Sequence, residues 1–341
     1  MKLSFVVPVF NDRPYLEACV ASLLVQGLEP GSYEIVLVDD GSTDGSGALC
    51  DALSGKHAGI RVIHQENKGV SEARNVGIGA AVGAYICLVD ADDEMIPGGL
   101  APLLLYCERG YDLVRYWCEM RQPGKNRNPD RGDGSVCFEG TGREYMRSEG
   151  LETICCNYLY RKSFLTEHGI TFLAGLTSAE DFAFMFDVLL AEPKMIEVAV
   201  RIYVYNVNPK TVSTDRSAGA SRQWVKNLLF VRSKVIADII RCRESDPLFY
   251  RRSLVSLDEQ LTSILSRILS SRYSLGEYKA LIAEAKEQNL IFFTRPSGTK
   301  AMVRRLGARA ILAFPRLYPF ASLLYRKVFI NILYPIIDKG A

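Results

Sequence analysis

Two runs of aspartates are the residues in this sequence whose types and spacing most plainly suit chemistry. Asp39-Asp40 and Asp90-Ala91-Asp92-Asp93 each follow a short apolar run. Mg²⁺ and Mn²⁺ take oxygen ligands, often one or two carboxylates together with substrate phosphates. A cation held in this way neutralises a diphosphate, so that a nucleotide can leave as a stabilised anion. An Asp-x-Asp motif alone is weak, because acidic residues after a strand are commonly turn formers.

A second pair of carboxylates, Glu180-Asp181, precedes the apolar stretch Phe182–Leu190. A hydroxyl that acts as a nucleophile needs a general base within hydrogen-bond reach, and a carboxylate can supply it. Acidic residues at the start of a helix also complement the helix dipole without any catalytic role. The dipeptide by itself leaves both interpretations open.

The elements that must position these carboxylates alternate between strands and helices. Short apolar runs predict strands over Leu3–Val9, Tyr33–Val38, Ile60–His64 and Ala84–Val89. Asn11 and Asp12 are placed to cap the helix that follows the first strand, and Val70–Ala81 is a further helix of small residues. The alternation predicts an α/β fold with a mostly parallel sheet. Such sheets bind ligands beyond the carboxyl ends of their strands, so the two aspartate runs should share one crevice.

The pattern changes after about residue 220, and this change sets the predicted domains. Strands are predicted over Asp112–Glu119, Ile154–Arg161 and Met195–Tyr205, with a loop over Gln122–Gly134. Two amphipathic helices then follow, around Trp224–Cys242 and Leu254–Ile268. The predicted organisation is a catalytic domain over 1–220 (halves 1–110 and 111–220), a helical extension over 221–299, and a basic amphipathic segment over 300–341.

Composition excludes several classes of protein. The 341 residues are 48% hydrophobic with a formal net charge of +2, which is typical of a globular chain and not of a disordered one. The nine cysteines form no Cys-x-x-Cys pair, and most lie in apolar runs, so we expect reduced core thiols in a cytosolic protein. The three histidines are scattered without metal-ligand spacing.

Four motifs in order carry a resemblance to a known family. They are Val6–Asn11, Glu34–Asp44, Asn67–Gly77 and the run Asp90–Asp93. The sequence resembles a family 2 glycosyltransferase of the bacterial surface-polysaccharide type over roughly residues 3–215. The resemblance implies the GT-A nucleotide-diphospho-sugar transferase fold, a Rossmann-like sheet flanked by helices, here with a C-terminal helical extension.

The resemblance also implies roles for individual residues. Pro8, Val9, Phe10 and Asn11 would form the floor of the nucleotide pocket, and Asp40 would contact the base. A carboxylate accepts from the N3–H of uracil, which favours a uridine nucleotide. The remaining positions of the implied nucleotide-sugar site are Lys68 and Arg74 near the nucleotide and phosphates, Asp90 facing the ribose, Ala91 beside it, and Asp92 at an Mn²⁺ or Mg²⁺ ion.

By the same resemblance Asp181 is the general base and Glu180 holds the acceptor or the donor sugar. A single carboxylate base implies one displacement with inversion, and hence a β-linkage from an α-linked UDP-sugar. One departure stands out, because Asn206 occupies the position of an arginine that family members often carry, and Lys210 is the nearest replacement charge. The expected acceptor is a saccharide or a lipid-linked saccharide.

Two other functions remain to be weighed against a transferase. One is a non-catalytic nucleotide-sugar-binding module of a polysaccharide assembly complex. The other, a nucleotidyltransferase, would carry a Gly-rich basic loop after the first strand, which Pro8–Arg13 does not supply.

The C-terminal segment has a charge of its own. Residues 300–341 contain eight Lys or Arg against one acidic residue, Asp338. Its apolar stretches are too short and too charged for a spanning helix, but basic amphipathic helices suit an anionic membrane interface. We therefore expect a cytoplasmic protein, peripheral on the inner face of the membrane. A nucleic-acid partner is disfavoured, and packing on the protein or a homo-oligomer contact are the alternatives.

Overall fold

The computed structural model describes residues 2–121, 132–207, 217–271, 273–288, 290–291, 312, 316 and 318–324. The chain divides into two compact units, residues 1–209 and 210–341. The predicted loop over Gln122–Gly134 lies outside the described residues except at its last three positions, and so does Lys210. The finer predicted divisions at residues 110 and 299 stay predictions.

The first unit is built from nine strands and seven short helices among its described residues. The strands are β1 Leu3–Val9, β2 Tyr33–Asp39, β3 Ile60–His64, β4 Tyr85–Leu88, β5 Glu94–Met95, β6 Leu113–Arg121, β7 Val136–Thr141, β8 Tyr158–Arg161 and β9 Lys194–Asn206. The helices are α1 Arg13–Leu24, α2 Ser46–Lys56, α3 Val70–Ala80, α4 Leu104–Glu108, α5 Gly142–Ser148, α6 Lys162–Glu167 and α7 Glu180–Leu190, with a 3₁₀ turn at Ala101–Leu103.

These strands form one sheet in the order β3-β2-β1-β4-β8-β6-β9-β5, with β7 also paired to β9. The first four strands in that order are mutually parallel, as predicted. Strand β8 runs antiparallel to both β4 and β6, so the second half of the sheet is mixed. All seven residues of β1 are buried, which is why this central strand reads as a continuous apolar run. The predicted α/β fold is confirmed.

The strand predicted over Ile154–Arg161 is too long, because pairing begins only at Tyr158. Cys155 and Cys156 lie in a turn before it, and their carbonyls accept hydrogen bonds from the hydroxyls of Tyr160 and Tyr116. An apolar run cannot reveal that its carbonyls bond to side chains instead of to a neighbouring strand.

The predicted capping of α1 is also wrong in its details. Asp12 does occupy the N-cap position, but its carboxylate makes no cap bond and instead accepts from the backbone N–H of Phe10. Asn11 adopts the left-handed φ of 59°, and its side-chain oxygen accepts from the backbone N–H of Thr43. The Asn11 side chain therefore ties the end of β1 to the loop after β2, whereas the Asp12 carboxylate stays within the turn that follows β1.

The second unit is helical where it is described. Its helices are α8 Ala218–Arg241, α9 Pro247–Ser270, α10 Leu275–Glu287 and α11 Tyr318–Leu324. Arg232 is fully buried and donates to the carbonyls of Leu257 and Leu290. The Tyr318 ring stacks on Tyr278 at 4.2 Å, so the start of α11 packs inside this unit.

Most of the predicted membrane-facing segment, 300–341, lies outside the described residues. Among the residues that are described, no helix combines the length and apolarity needed to cross a bilayer.

Helix α3 lies directly against the parallel strands because its inner face is made of small residues. A Cβ added at Gly77 would meet Val6 Cγ1 at 2.4 Å and Val38 Cγ2 at 3.2 Å. One turn earlier on the same buried face lies Arg74. The close packing of α3 on the strands therefore sets the position of the Arg74 side chain relative to the carboxyl ends of the strands.

We predict that Gly77→Ala lowers the free energy of unfolding by about 1–3 kcal/mol, because the added methyl group overpacks against Val6. Gly79→Ala is the matched control, since a Cβ there meets nothing within 4 Å. That change should raise stability by about 0.5–1 kcal/mol through helix propensity. Urea unfolding of both variants checks the pair, and equal effects would contradict the proposed close packing.

Candidate active site

The candidate site lies beyond the carboxyl ends of β1, β2 and β4. The backbone N–H of Asp40 donates to the carbonyl of Val9, and that of Val89 donates to the carbonyl of Val6. These bonds extend the parallel register past the strand ends and bring both aspartate runs to one edge, as the sequence predicts. Pro8, Val9 and Ala91 are buried there, while the Phe10 ring is 47% exposed above the end of β1.

Asp40 is almost fully buried, and its carboxylate organises the loop before α3. It accepts from the backbone N–H groups of Lys68 and Gly69, both at 2.8 Å, and from the Gln65 side chain at 2.7 Å. The Lys68 side chain is exposed and makes no ion pair among the described residues. Lys68 is thus available for a phosphate, whereas the base contact of Asp40 stays a prediction.

Arg74 binds carboxylates, although the sequence predicts that it lies beside the phosphates. Its side chain is 3% exposed, and Nη2 donates to Asp90 Oδ1 at 2.7 Å. Nη1 donates to Asp181 Oδ1 at 2.7 Å and to Glu180 Oε1 at 3.1 Å. The face of the Phe172 ring lies 5.1 Å from the guanidinium. The two constellations recognised in the sequence therefore share this one arginine.

Asp181 is held in a way that suits a general base. It lies in the first turn of α7, and the preceding helix cap, Ala179, adopts an unusual left-handed φ of 62°. Arg74 and the Cys155 thiol both bond to its Oδ1, the thiol at 3.2 Å. Oδ2 has no hydrogen-bond partner among the described residues, and the side chain is 27% exposed. One carboxylate oxygen is therefore fixed while the other is free to accept a proton.

Glu180, beside it, is more deeply enclosed. Its side chain is 13% exposed and pairs with Arg74. Burial and the neighbouring charge of Asp181 raise the pKa of Glu180 from an ordinary value of 4.5 to about 7, against the opposing effect of Arg74. Glu180 therefore exchanges a proton near neutral pH.

Asp93 has a structural role that the motif does not reveal. It is 1% exposed and accepts from the Tyr203 hydroxyl at 2.6 Å and the backbone N–H of Asn206 at 2.8 Å. The same hydroxyl oxygen accepts from the backbone N–H of Asp90 at 3.1 Å. Asp93 thus ties the aspartate run to the end of β9.

Asn206, which replaces the expected arginine, is also used structurally. Its amide nitrogen donates to the carbonyl of Asp92 at 3.0 Å and to Glu94 at 3.2 Å. This neutral amide holds the backbone of the aspartate run and adds no positive charge toward a diphosphate. Asn206 therefore does not supply the charge of the arginine that it replaces, and the role of Lys210 stays a prediction.

The site is strongly acidic. Burial, together with the charges of Asp90 and Asp44, raises the pKa of Asp12 to about 6. Burial and the charge of Asp90 likewise raise the pKa of Asp93 to about 8. Burial is the larger cause of both shifts, and the neighbouring carboxylates that add to it give a negative potential beyond the strand ends, which a cation would relieve.

The described residues contain no group of three or more His, Cys, Asp or Glu side chains that could hold a metal ion. A divalent cation at Asp92 would therefore need phosphate oxygens from the nucleotide to complete its ligands, a common arrangement for Mg²⁺.

Sequence reasoning expected reduced core thiols and missed the contacts that Cys155 and Cys156 make with the site. Both thiols are buried, and Cys156 Sγ lies 3.7 Å from Asp90 Oδ2. The only signal in the sequence was two adjacent cysteines just before a strand. Their contacts span 26 and 66 residues, so local patterns cannot show them.

Comparisons with known proteins place this fold and site in a family. The sequence profile of glycosyl transferase family 2 matches residues 4–169. An uncharacterized glycosyltransferase, YibD of Escherichia coli strain K12, is 30% identical over 245 residues, covering 68% of this chain and 67% of YibD. The chain belongs to glycosyl transferase family 2.

A second sequence relative and one solved structure are also similar to this chain. The glycosyltransferase GlyG of Streptococcus pneumoniae serotype 4 is 40% identical over 149 residues, 43% of this chain, and the match spans only 46% of GlyG. The structure of Staphylococcus aureus TarS 1-349 in complex with UDP-GlcNAc has a TM-score of 0.61 at 20% identity, covering 96% of this chain and 92% of that one. This likeness confirms the predicted GT-A fold.

The raised pKa of Glu180 predicts a pH dependence of stability. A carboxyl whose pKa is higher in the folded state binds more protons when folded, so the folded protein loses stability as pH rises from about 4.5 to about 7. Relative to Glu180→Gln, the wild type should therefore lose roughly 3 kcal/mol of unfolding free energy across this interval. Urea unfolding at several pH values measures the difference, and a difference that does not change with pH would contradict the assignment.

Proposed function

We propose that this protein is an inverting glycosyltransferase that moves a sugar from a UDP-sugar to a hydroxyl of a saccharide or lipid-linked saccharide acceptor in surface polysaccharide biosynthesis. The observation that carries the proposal is the Asp181 carboxylate, held at Oδ1 and free at Oδ2. A base in this state is oriented and still able to take a proton. The Arg74 contact places it in the same cluster as Asp90 of the donor-side run.

The donor proposal rests on the strand-end pocket and on the TarS structure with UDP-GlcNAc. The exposed Phe10 ring offers a surface for a base, and the exposed Lys68 ammonium offers a charge for a phosphate. Asp92 would hold Mn²⁺ or Mg²⁺ together with the diphosphate. The ion would supply charge neutralisation for the departing UDP.

The bond changes in this proposal follow from one base and one leaving group. The acceptor hydroxyl gives its proton to Asp181 Oδ2 as its oxygen attacks the anomeric carbon. The bond from that carbon to the diphosphate oxygen breaks, and UDP leaves as an anion from the opposite face. An α-linked donor therefore gives a β-linked product, and Asp181 returns its proton to solvent. Glu180 lies next to this base and would contact the acceptor or the transferred sugar.

The first test screens donors directly. Wild-type protein is incubated with UDP-glucose, UDP-galactose, UDP-GlcNAc and UDP-GalNAc, and UDP release is measured with Mn²⁺, with Mg²⁺ and with EDTA. We expect release from at least one donor and its loss in EDTA. Release that persists in EDTA would contradict the metal proposal. No release from any donor, while UDP still binds, would instead favour a nucleotide-sugar-binding module.

The second test removes the base. Asp181→Asn should reduce UDP release by a factor of 100 or more, on the order of a lost general base, while UDP affinity changes little. Asp187→Asn makes the same change on the same helix, six residues farther along, and serves as the matched control. Appreciable residual turnover in Asp181→Asn would exclude Asp181 as the base.

The proposal extends to a peripheral membrane contact through residues 300–341, which suits a lipid-linked acceptor. A chain ending at Leu324 keeps α11, and adding Arg304→Glu and Arg305→Glu removes further positive charge. This variant should lose co-sedimentation with phosphatidylglycerol vesicles, because the attraction to anionic lipid depends on the basic residues. Phosphatidylcholine vesicles are the control for charge. Unchanged sedimentation with phosphatidylglycerol would rule out the segment as the contact.

A further inference from the structure

The two adjacent thiols at the site are matched to its two key carboxylates. Cys155 Sγ lies 3.2 Å from Asp181 Oδ1, and Cys156 Sγ lies 3.7 Å from Asp90 Oδ2. The sulphur atoms are 3.8 Å from each other. Arg74 also bonds to both carboxylates, through Nη1 to Asp181 Oδ1 and through Nη2 to Asp90 Oδ1. Each carboxylate is therefore held between one arm of the guanidinium and one thiol.

The backbone that carries the thiols is fixed in place. The Tyr160 hydroxyl donates to the carbonyl of Cys155 at 2.5 Å, and the Tyr116 hydroxyl donates to the carbonyl of Cys156 at 2.9 Å. Both tyrosines are at most 1% exposed. The positions of the sulphur atoms are thus set by the sheet and not by the carboxylates they contact.

We propose that Cys155 is a positioning residue for the base: with Arg74 it holds Oδ1 of Asp181, so that Oδ2 faces the acceptor hydroxyl. Cys156 is the corresponding positioning residue for Asp90 on the donor side. This inference rests on the proposed function, since it assigns a partner to the base of that reaction.

The thiols act as neutral donors and not as nucleophiles. Burial raises the pKa of Cys155 well above its ordinary value. For Cys156, the hydrogen bond with Cys155 lowers the pKa, but burial and the charge of Asp90 leave it raised to about 11. A protonated thiol can donate weakly to a carboxylate, and a fully buried one is closed to oxidants in bulk solvent.

The charged and titratable groups around Asp181 come from four parts of the fold. They are Arg74 on α3, Glu180 on α7, Asp90 after β4 and the two thiols before β8. Of these, Arg74 and Cys155 donate to the Asp181 carboxylate. Removing the thiol donor should therefore leave Oδ1 of Asp181 held by Arg74 alone and orient the carboxylate less well.

The test uses water in place of the unidentified acceptor, because slow hydrolysis of the donor needs the same base. UDP release is followed with Mn²⁺ and the UDP-sugar that is most active with wild type, from pH 5 to pH 9. In Cys155→Ala and Cys155→Val, kcat should fall about three- to tenfold, with KM for the donor within twofold of the wild-type value. Cys155→Ser keeps a donor and should restore most of kcat.

Two comparisons make the result specific. Cys156→Ala should raise KM for the donor more than it lowers kcat, because it contacts the donor-side carboxylate. Cys50→Ala, which removes a buried thiol on α2, controls for the loss of a core sulphur atom. UDP binding and the melting temperature show which variants are folded, and the Val variant serves if the Ala variant does not fold.

The outcomes separate this inference from the function on which it rests. If wild type releases no UDP, the proposed function fails. If wild type is active and the Cys155 variants match Cys50→Ala in kcat and pH profile, the function stands and the positioning role is wrong. Equal losses in the Ala, Val and Ser variants would show that the thiol matters by packing alone, which also overturns the proposal.

Discussion

One buried guanidinium organises the site. Arg74 comes from α3, which packs on the parallel half of the sheet, while Glu180 and Asp181 come from α7 in the second half of the same unit. A buried charge is tolerated only when it is paired, and removing a partner leaves an uncompensated charge behind. The arginine therefore fixes the distance between Asp90 after β4 and Asp181 on α7. The arrangement depends on Gly77, one turn along α3, because any larger residue there would push the helix off β1.

Three carboxylates share this one cation, and the imbalance has a consequence. Asp181 and Asp90 keep some contact with solvent, whereas Glu180 is enclosed and takes on a raised pKa. Burial and the nearby carboxylates likewise raise the pKa of Asp12 and Asp93 beyond the strand ends, so that Asp93 carries little charge at neutral pH. A site with this potential favours a cation and the diphosphate that arrives with it. Arg74 neutralises only part of the negative charge of this cluster, and the proposed metal ion would neutralise more of it.

The sequence predicted the parts of this picture that local patterns encode. Apolar runs located β1 to β4 to within a residue or two, and the ordered motifs brought the carboxylates to one sheet edge. What it did not predict depends on contacts between distant segments. Arg74 was expected at the phosphates, but its partners Glu180 and Asp181 lie more than 100 residues away. Cys155 and Cys156 have no metal or disulfide spacing, so only the fold shows what they touch. The structural roles of Asp93 and Asn206 depend in the same way on β9, a strand that lies about 100 residues farther along the chain than Asp93.

The central claim is that Arg74 and Asp181 form one interacting unit, and a double-mutant cycle on folding stability tests it without any substrate. Unfolding free energies are measured for wild type, Arg74→Met, Asp181→Asn and the double variant. The account predicts that the two single losses do not add and that the coupling energy is about 1–3 kcal/mol. Losses that add to within about 0.5 kcal/mol would show that the two side chains are independent, and would contradict the account.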